Sequence, residues 1–188
     1  NHGALTVNRS TVAGNTTDSE GGGLINHSGA TATVNNSTVS GNSTTSSGGG
    51  GVFNVSTITI NSTTVANNAV AAGSGSGILN ALFGAVEMVN TIVADNTGAA
   101  DCDSRFIPLN NVNLSLIEST ERGCNNASGV NGNIVGVDPK LGLLQDNGGP
   151  TQTRALLTGS PALDAGDTAL DRDQRGEPRP FGLADDIG

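Results

Sequence analysis

Apolar residues recur along the first hundred positions in pairs two apart: Leu5 and Val7, Ala32 and Val34, Ile58 and Ile60, Val86 and Met88. That spacing points both members to one side of a strand and the residue between them to the other. The residues between are Thr6, Thr33, Thr59 and Glu87, which predicts an apolar inner face and a polar outer one. A second column stands at Val12, Val39, Val65 and Val93, separated by 27, 26 and 28 residues. Asn15, Asn42, Asn68 and Asn96 follow it three positions later at the same intervals. A third column falls at Leu24, Val52 and Ile78, each after a glycine-rich run and each two residues before Asn26, Asn54 or Asn80. No segment has the i, i+3, i+4 pattern of a helix.

The repeat predicts about three short strands in each 27-residue unit, with Gly, Asn and Ser between them. One such unit cannot bury its apolar face, but stacked units can, with parallel strands paired along the stack. The expected fold is all-β, a right-handed single-stranded parallel β-helix, its hand following the usual crossover rule. Val7, Val12, Val34, Val39, Ile58, Ile60, Val65, Val86, Met88 and Val93 become internal ladders. The seven asparagines above become amide ladders of the kind that stabilise cross-β stacks, and glycine supplies corners that need positive φ. An antiparallel β-sandwich is the alternative, but its strands have no reason to hold a 27-residue register.

After residue 100 the repeat breaks down. Residues 101–145 read as irregular rungs with an insertion, and 146–188 as a C-terminal strand followed by a capping tail, all in one continuous domain. The segment NGNIVGVDPKLG reads as a last strand, DNGGP as a turn, and ALLTGSPALDAG as an apolar strand. In the tail, Arg172, Arg175 and Arg179 read as ion-pair partners of Asp164, Asp167, Asp171, Asp173, Asp185 and Asp186. At the other end, Asn1 and His2 match Asn26 and His27, which places Asn1 in mid-coil with an open rung. That edge expects rungs from a longer parent or from another molecule, and end-to-end self-association would give a filament.

Composition narrows the function. Net charge is −9, and the balance is uneven: one base and three acids precede residue 95, and seven bases and fourteen acids follow. Such a chain is repelled by nucleic acid and by anionic membranes. No apolar run approaches the roughly 18 residues of a transmembrane segment. Cys102 and Cys124 are too few for a zinc site, and a disulfide between them implies an oxidising compartment.

The repeats STVSGN and GGGGVFN resemble rungs of bacterial secreted β-helix proteins, including the polymorphic outer-membrane type. Residues 135–167, VGVDPKLGLLQDNGGPTQTRALLTGSPALDAGD, with DQRGEPRP and DIG beyond, are similar to the choice-of-anchor Q domain carried by such proteins. The resemblance implies export to the cell surface and a structural or adhesin-like role, with a glycan or host surface as partner, and it implies no activity.

Chemistry was sought on the outer face. β-Helix lyases and glycosidases need clustered acids and a base. The regular rungs turn out Thr, Ser and Asn, with only Arg9, Asp18, Glu20 and Glu87 charged, and there is no Trp or Tyr. The one region able to host a polysaccharide-cleaving pair is Asp95, Asp101, Asp103, Glu118 and Glu121. Asp101 with Asp103, and Asp185 with Asp186, are the candidate Ca²⁺ ligands. DRDQRG fails as an EF-hand loop at Arg175 and Gly182, and GSGSG at 73–77 lacks the lysine of a phosphate loop. His2 and His27 occupy equivalent rung positions and read as neighbouring corner residues rather than a catalytic or metal pair. The TxT pairs at Thr31/Thr33 and Thr57/Thr59 resemble ice-binding arrays but are flanked by Ala4 and by Ala85 with Glu87. Asn8, Asn36, Asn42 and Asn61 fit the N-glycosylation pattern. The expected function is a non-catalytic extracellular scaffold without a required cofactor.

Overall fold

A computed structural model describes residues 1–73, 75–109, 111–124 and 128–188 and shows a parallel β-solenoid of about 26 residues per turn. A full turn has four strands where the sequence predicts three. In the first turn they are Ala4–Asn8, Thr11–Ala13, Thr16–Thr17 and Leu24–Asn26. The unforeseen one is two polar residues long, too short to carry a period. Stacking the turns gives faces of five, six, three and four parallel strands. The five-stranded face runs from Ala4–Asn8 to Asn111–Asn113, and the six-stranded face from Thr11–Ala13 to Ile134–Val135.

Register follows the sequence columns. Val7, Val34, Ile60, Met88 and Val112 stack on one another, as do Leu5, Ala32, Ile58 and Val86. On the six-stranded face Val12, Val39, Val65, Val93, Ile117 and Val135 form one column, and on the four-stranded face Leu24, Val52, Ile78 and Cys102 form another. These side chains fill the solenoid interior. They are buried in the middle turns but only partly buried at Leu5, Val7, Val12 and Leu24 in the first and at Val135 in the last.

Polar columns fix the corners. Asn15 Nδ2 donates to Asn42 Oδ1 (2.8 Å), Asn42 to Asn68 (2.9 Å) and Asn68 to Asn96 (2.9 Å). The backbone N–H of each of these donors also points at the same oxygen of the next turn. Asn96 hands both its donors to Asp101 Oδ1, at 2.7 and 2.9 Å. A second ladder climbs from Asn1 through Asn26, Asn54 and Asn80 to the Ser104 hydroxyl. A third was not foreseen. The hydroxyls of Ser10, Ser37, Thr63, Thr91 and Ser115 each donate to the carbonyl two residues back. Three of them also accept an N–H from the turn below. The residue before each hydroxyl is left-handed: Arg9, Asn36, Ser62, Asn90 and Leu114 have φ between 44° and 52°.

The glycine runs serve close approach as much as conformation. A Cβ on Gly51 would lie 2.6 Å from the Gly77 carbonyl and 2.9 Å from Asn68 Nδ2. A side chain there would push the turns apart and break the ladder.

Beyond residue 100 the solenoid continues by shortening, contrary to the expected longer rung. Met88 to Val112 spans 24 residues (112 − 88) where Ile60 to Met88 spans 28 (88 − 60). In the shortened turn the three-stranded face is reduced to a single bridge, Thr97 to Ala69. The Cys102–Cys124 disulfide closes this segment inside the core. Ile134–Val135 is the last parallel strand, as read. The apolar strand in ALLTGSPALDAG instead pairs antiparallel, Thr153–Leu156 against Leu141–Gln145, forming a hairpin around the expected DNGGP turn.

The tail runs along the flank of the solenoid and forms a strap over the six-stranded face. Asn36 Nδ2 donates to the Arg172 carbonyl (2.7 Å), Ser62 Oγ to Thr168 Oγ1 (3.1 Å) and Asn90 Nδ2 to the Asp186 carbonyl (3.0 Å). The left-handed corner residues of successive turns thus hold it. Gln174 is buried, donating to Ser10 O and Thr11 Oγ1 and accepting from Thr38 Oγ1. Under the strap's far end lies a second core of Ile92, Ala94, Leu116, Ala162 and Ile187. The expected network of ion pairs is absent from the described tail, where Arg175–Asp173 alone forms one (2.7 Å). Asp164 Oδ1 accepts the Leu183 and Ala184 N–H groups, Asp185 Oδ2 that of Thr168, and Asp186 Oδ1 that of Asp164. Arg172 and Arg179 donate to carbonyls. Backbone groups brought alongside by the folding of the tail took the charges that the sequence seemed to offer to one another.

Asn68→Ala leaves the Asn42 donors and the Val39 carbonyl unanswered in a dry interior, and we expect a loss of about 3 kcal/mol in urea unfolding. Asn35→Ala removes a bond to Asn8 on the outer surface and is expected to cost about 0.5 kcal/mol or less. Replacing both cysteines with Ala should cost about 3 kcal/mol in the same assay, the scale set by loop closure.

Candidate functional site

The faces differ in what they leave open. On the five-stranded face the outward Thr6, Thr33 and Thr59 stand in register, flanked by Ala4, Ala85 and Glu87 as the sequence indicates, and none is fully buried. On the six-stranded face the outward Thr38, Ser40, Thr64, Ala66, Ile92, Ala94 and Leu116 are all buried by the strap and hairpin. The readable signal was the pairs Ile92/Ala94 and Leu116/Ile134, apolar at positions where outward residues are otherwise polar. A strand apolar on both sides has both sides covered. Outward Leu79 and Asp103 on the four-stranded face are likewise buried.

Where the fourth and fifth turns meet the hairpin, three carboxylates converge. Asp95 occupies a left-handed corner (φ 57°) filled by Gly14, Gly41 and Asn67 in earlier turns. Glu118 follows Leu116–Ile117 one turn on, and its Oε2 accepts the Asp95 N–H at 2.8 Å. Asp138, in the approach to the hairpin, completes the group, with one oxygen of each residue within 4.8 Å of the others. Desolvation, with repulsion from Asp138 and Asp101, pushes the Asp95 carboxyl above its ordinary range, and nearby Arg154 opposes this. Glu118 is pushed up by desolvation and by the charges of Asp101, Asp95 and Asp138, against the hydrogen bond from Asp95. The Arg154 guanidinium, half-buried, donates to Ser40 Oγ and the Gly142 carbonyl. Chemically this group can share a proton or hold a hard cation.

The region expected to carry acid chemistry is therefore only partly assembled. Asp95 and Glu118 meet, but Asp101 terminates the asparagine ladder. Its Oδ1 takes both Asn96 donors and its Oδ2 takes the N–H and hydroxyl of Ser119. Asp103 is buried beside Arg105 (3.6 Å) and Arg122 (4.0 Å), and Glu121 lies exposed on the surface. Of the acids read as Ca²⁺ ligands, Asp101 directs both oxygens at protein donors, whereas both Asp103 oxygens are buried without a hydrogen bond. Asp185 and Asp186 each give one oxygen to a backbone amide, and the other Asp185 oxygen is buried without a hydrogen bond. Asp138 escaped the sequence reading because nothing local marks it, and only the turn that follows Ile134–Val135 brings it near Asp95.

Other expectations are placed plainly. The His2 and His27 rings stack at 4.2 Å, 7° from parallel. Asn42 is fully buried and Asn36 holds the strap, so neither is open to glycosylation, while Asn8 is exposed. Asp173 in DRDQRG caps its own turn, accepting the Gly176 and Glu177 N–H groups. The GSGSG run includes Ser74, outside the described residues.

Between the six-stranded face and the strap lies a cavity of about 490 Å³. Three of the four phenylalanines stand outside the core: Phe83 and Phe106, paired at 6.5 Å, and Phe181, 90% exposed at the cavity. Comparison with protein-family models, curated proteins and solved structures gives no match to this chain.

Raised carboxyl pKa values give a definite sign. Their stabilising contribution is fully present below the unfolded-state values, near 4, and is lost as the pH rises through the higher folded-state values. Asp95→Asn keeps the left-handed corner and removes one charge. We expect it to raise the melting temperature at pH 7 and to flatten its fall between pH 4 and 7, measured by thermal unfolding.

Proposed function

We propose that this chain is a non-catalytic extracellular scaffold, a rigid solenoid segment of a secreted or surface protein. The observation that carries the reading is the pair of asparagine ladders that run unbroken from the first turn to Asp101 and Ser104. They lock the register from turn to turn, as a stiff rod requires. The core disulfide supports an oxidising location, and the resemblance of residues 135–167 to choice-of-anchor Q domains supports a bacterial surface protein of the polymorphic outer-membrane type.

Ladder direction limits how copies stack end to end. From one asparagine to the next each amide donates toward the later turn, so Asn15 keeps its Oδ1 as an acceptor. A second copy offers the acceptor Asp101 at the end of this ladder, and two first turns face to face oppose acceptor to acceptor. Ladder polarity therefore opposes self-stacking. A second reading, an adhesin-like stalk binding glycans, is favoured by the exposed phenylalanines.

Sedimentation and negative-stain microscopy of the disulfide-bonded protein test the scaffold reading. Discrete rods, monomeric across concentration and inert toward acidic polysaccharides, are expected. Release of new sugar ends would make it an enzyme acting through the Asp95–Glu118–Asp138 region. Filaments with a one-molecule axial repeat would mean that copies stack against the ladder polarity.

A further inference from the structure

The cavity under the strap has an origin in the sequence. Its floor on the six-stranded face is Thr38, Thr64 and Ile92, the point where the outward column changes from hydroxyl to aliphatic. Thr38 is engaged by Gln174, and the next turns offer too little volume to meet the strap before Ile187 reaches Ile92. The strap therefore bridges a space of about 490 Å³, the scale of a small-molecule site.

Its lining has two characters. Ile92, Leu156 and Leu163 make an aliphatic side, and Phe181 stands at the cavity with nearly its whole ring in solvent. The polar side is mixed in sign, with three guanidiniums (Arg154, Arg175, Arg179) against four carboxylates (Asp173, Glu177, Asp185, Asp186). Arg175 and Asp173 pair with each other, and Arg179 gives both Nη atoms to the carbonyls of Asp186 and Gly188. Arg154 gives its Nε and Nη1 to Ser40 and Gly142, which leaves its Nη2. With exposed Glu177 this puts an acceptor-only and a donor-only group in one lining. A balanced lining gives no field to select an anion or a cation. What it complements is a neutral molecule with one apolar ring face and an edge of groups that both donate and accept.

We propose that this cavity binds a single neutral hexopyranose unit of a glycan. The sugar's apolar face lies on Phe181, and its hydroxyls donate to Glu177 and accept from Arg154. The assignment rests on the glycan-binding reading above and names its site. It is independent of how the rod assembles, so sedimentation can fail while this stands, and the reverse.

Saturation-transfer NMR on the whole chain with methyl glycosides of glucose, galactose, mannose and N-acetylglucosamine tests it. Transfer to the ring protons of at least one is expected. Phe181→Ala and Glu177→Gln should each weaken binding about tenfold, the scale of one lost stacking or charge-assisted contact, with unchanged melting temperature because both side chains are exposed. Thr64→Leu fills the floor and should abolish transfer while the protein stays folded. Absence of transfer from all four glycosides overturns the proposal, as does tighter binding of a sialoside or a sulfated sugar than of any neutral one. Transfer unaffected by all three substitutions overturns it too, by placing the sugar elsewhere, for instance on Phe83 and Phe106.

Discussion

The structure depends on one constraint, that a buried amide must be answered by the turn above it. A buried asparagine brings two donors and an acceptor into a space without water, where an unmet group costs of order 1–3 kcal/mol. In a stacked solenoid one donor finds a backbone carbonyl of the preceding turn, and the other needs the same residue one turn on. The demand therefore propagates. Asn42 obliges Asn68, which obliges Asn96, and the valine columns between them inherit the register. Hydrophobic burial alone accepts Val for Ile and a slip of two residues that keeps the same face inward, but the amides do not. This is how so simple an alphabet specifies one fold, with local pattern and global packing asking for the same residues.

A ladder that demands continuation must also be stopped. Asp101 does this chemically: a carboxylate accepts at both oxygens, so it takes the Asn96 donors on one side and Ser119 on the other. Ser104 does the same for the second ladder, passing its proton to the Ile107 carbonyl. The shortening of the fourth turn and the disulfide fall at these terminators, and the hairpin follows from Leu141. The carboxylates at Asp95, Glu118 and Asp138 gather at that same transition, where the solenoid stops repeating itself.

Much of this was legible in the sequence. The stacking, the column members and the two asparagine ladders are visible because identical neighbours sit at one interval, and the interval is all that stacking needs. The two cysteines, alone in a chain without metal motifs, announced their bond. The rest was hidden for physical reasons. Two-residue strands such as Ser43–Thr44 have no period to detect. The hydroxyl ladder uses Ser and Thr, which are too common here to stand out. Asp101 looks like any acid until the asparagine behind it is in place. The strap's path was unreadable because its contacts join residues more than a hundred positions apart, such as Asn36 with Arg172. The tail's charges misled by their number: arginine and aspartate in one segment suggest pairing, but amides from adjacent turns compete at shorter range and win.

The strap makes each turn depend on more than its neighbours. In a plain solenoid a turn is supported mainly by the ones on either side. Here Gln174 reaches Ser10, Thr11 and Thr38, and Asn36, Ser62 and Asn90 of successive turns hold the same passing segment. One turn cannot peel away without freeing a length of chain that also ties down the next. Load applied to the rod is thus shared along its flank instead of being passed from rung to rung.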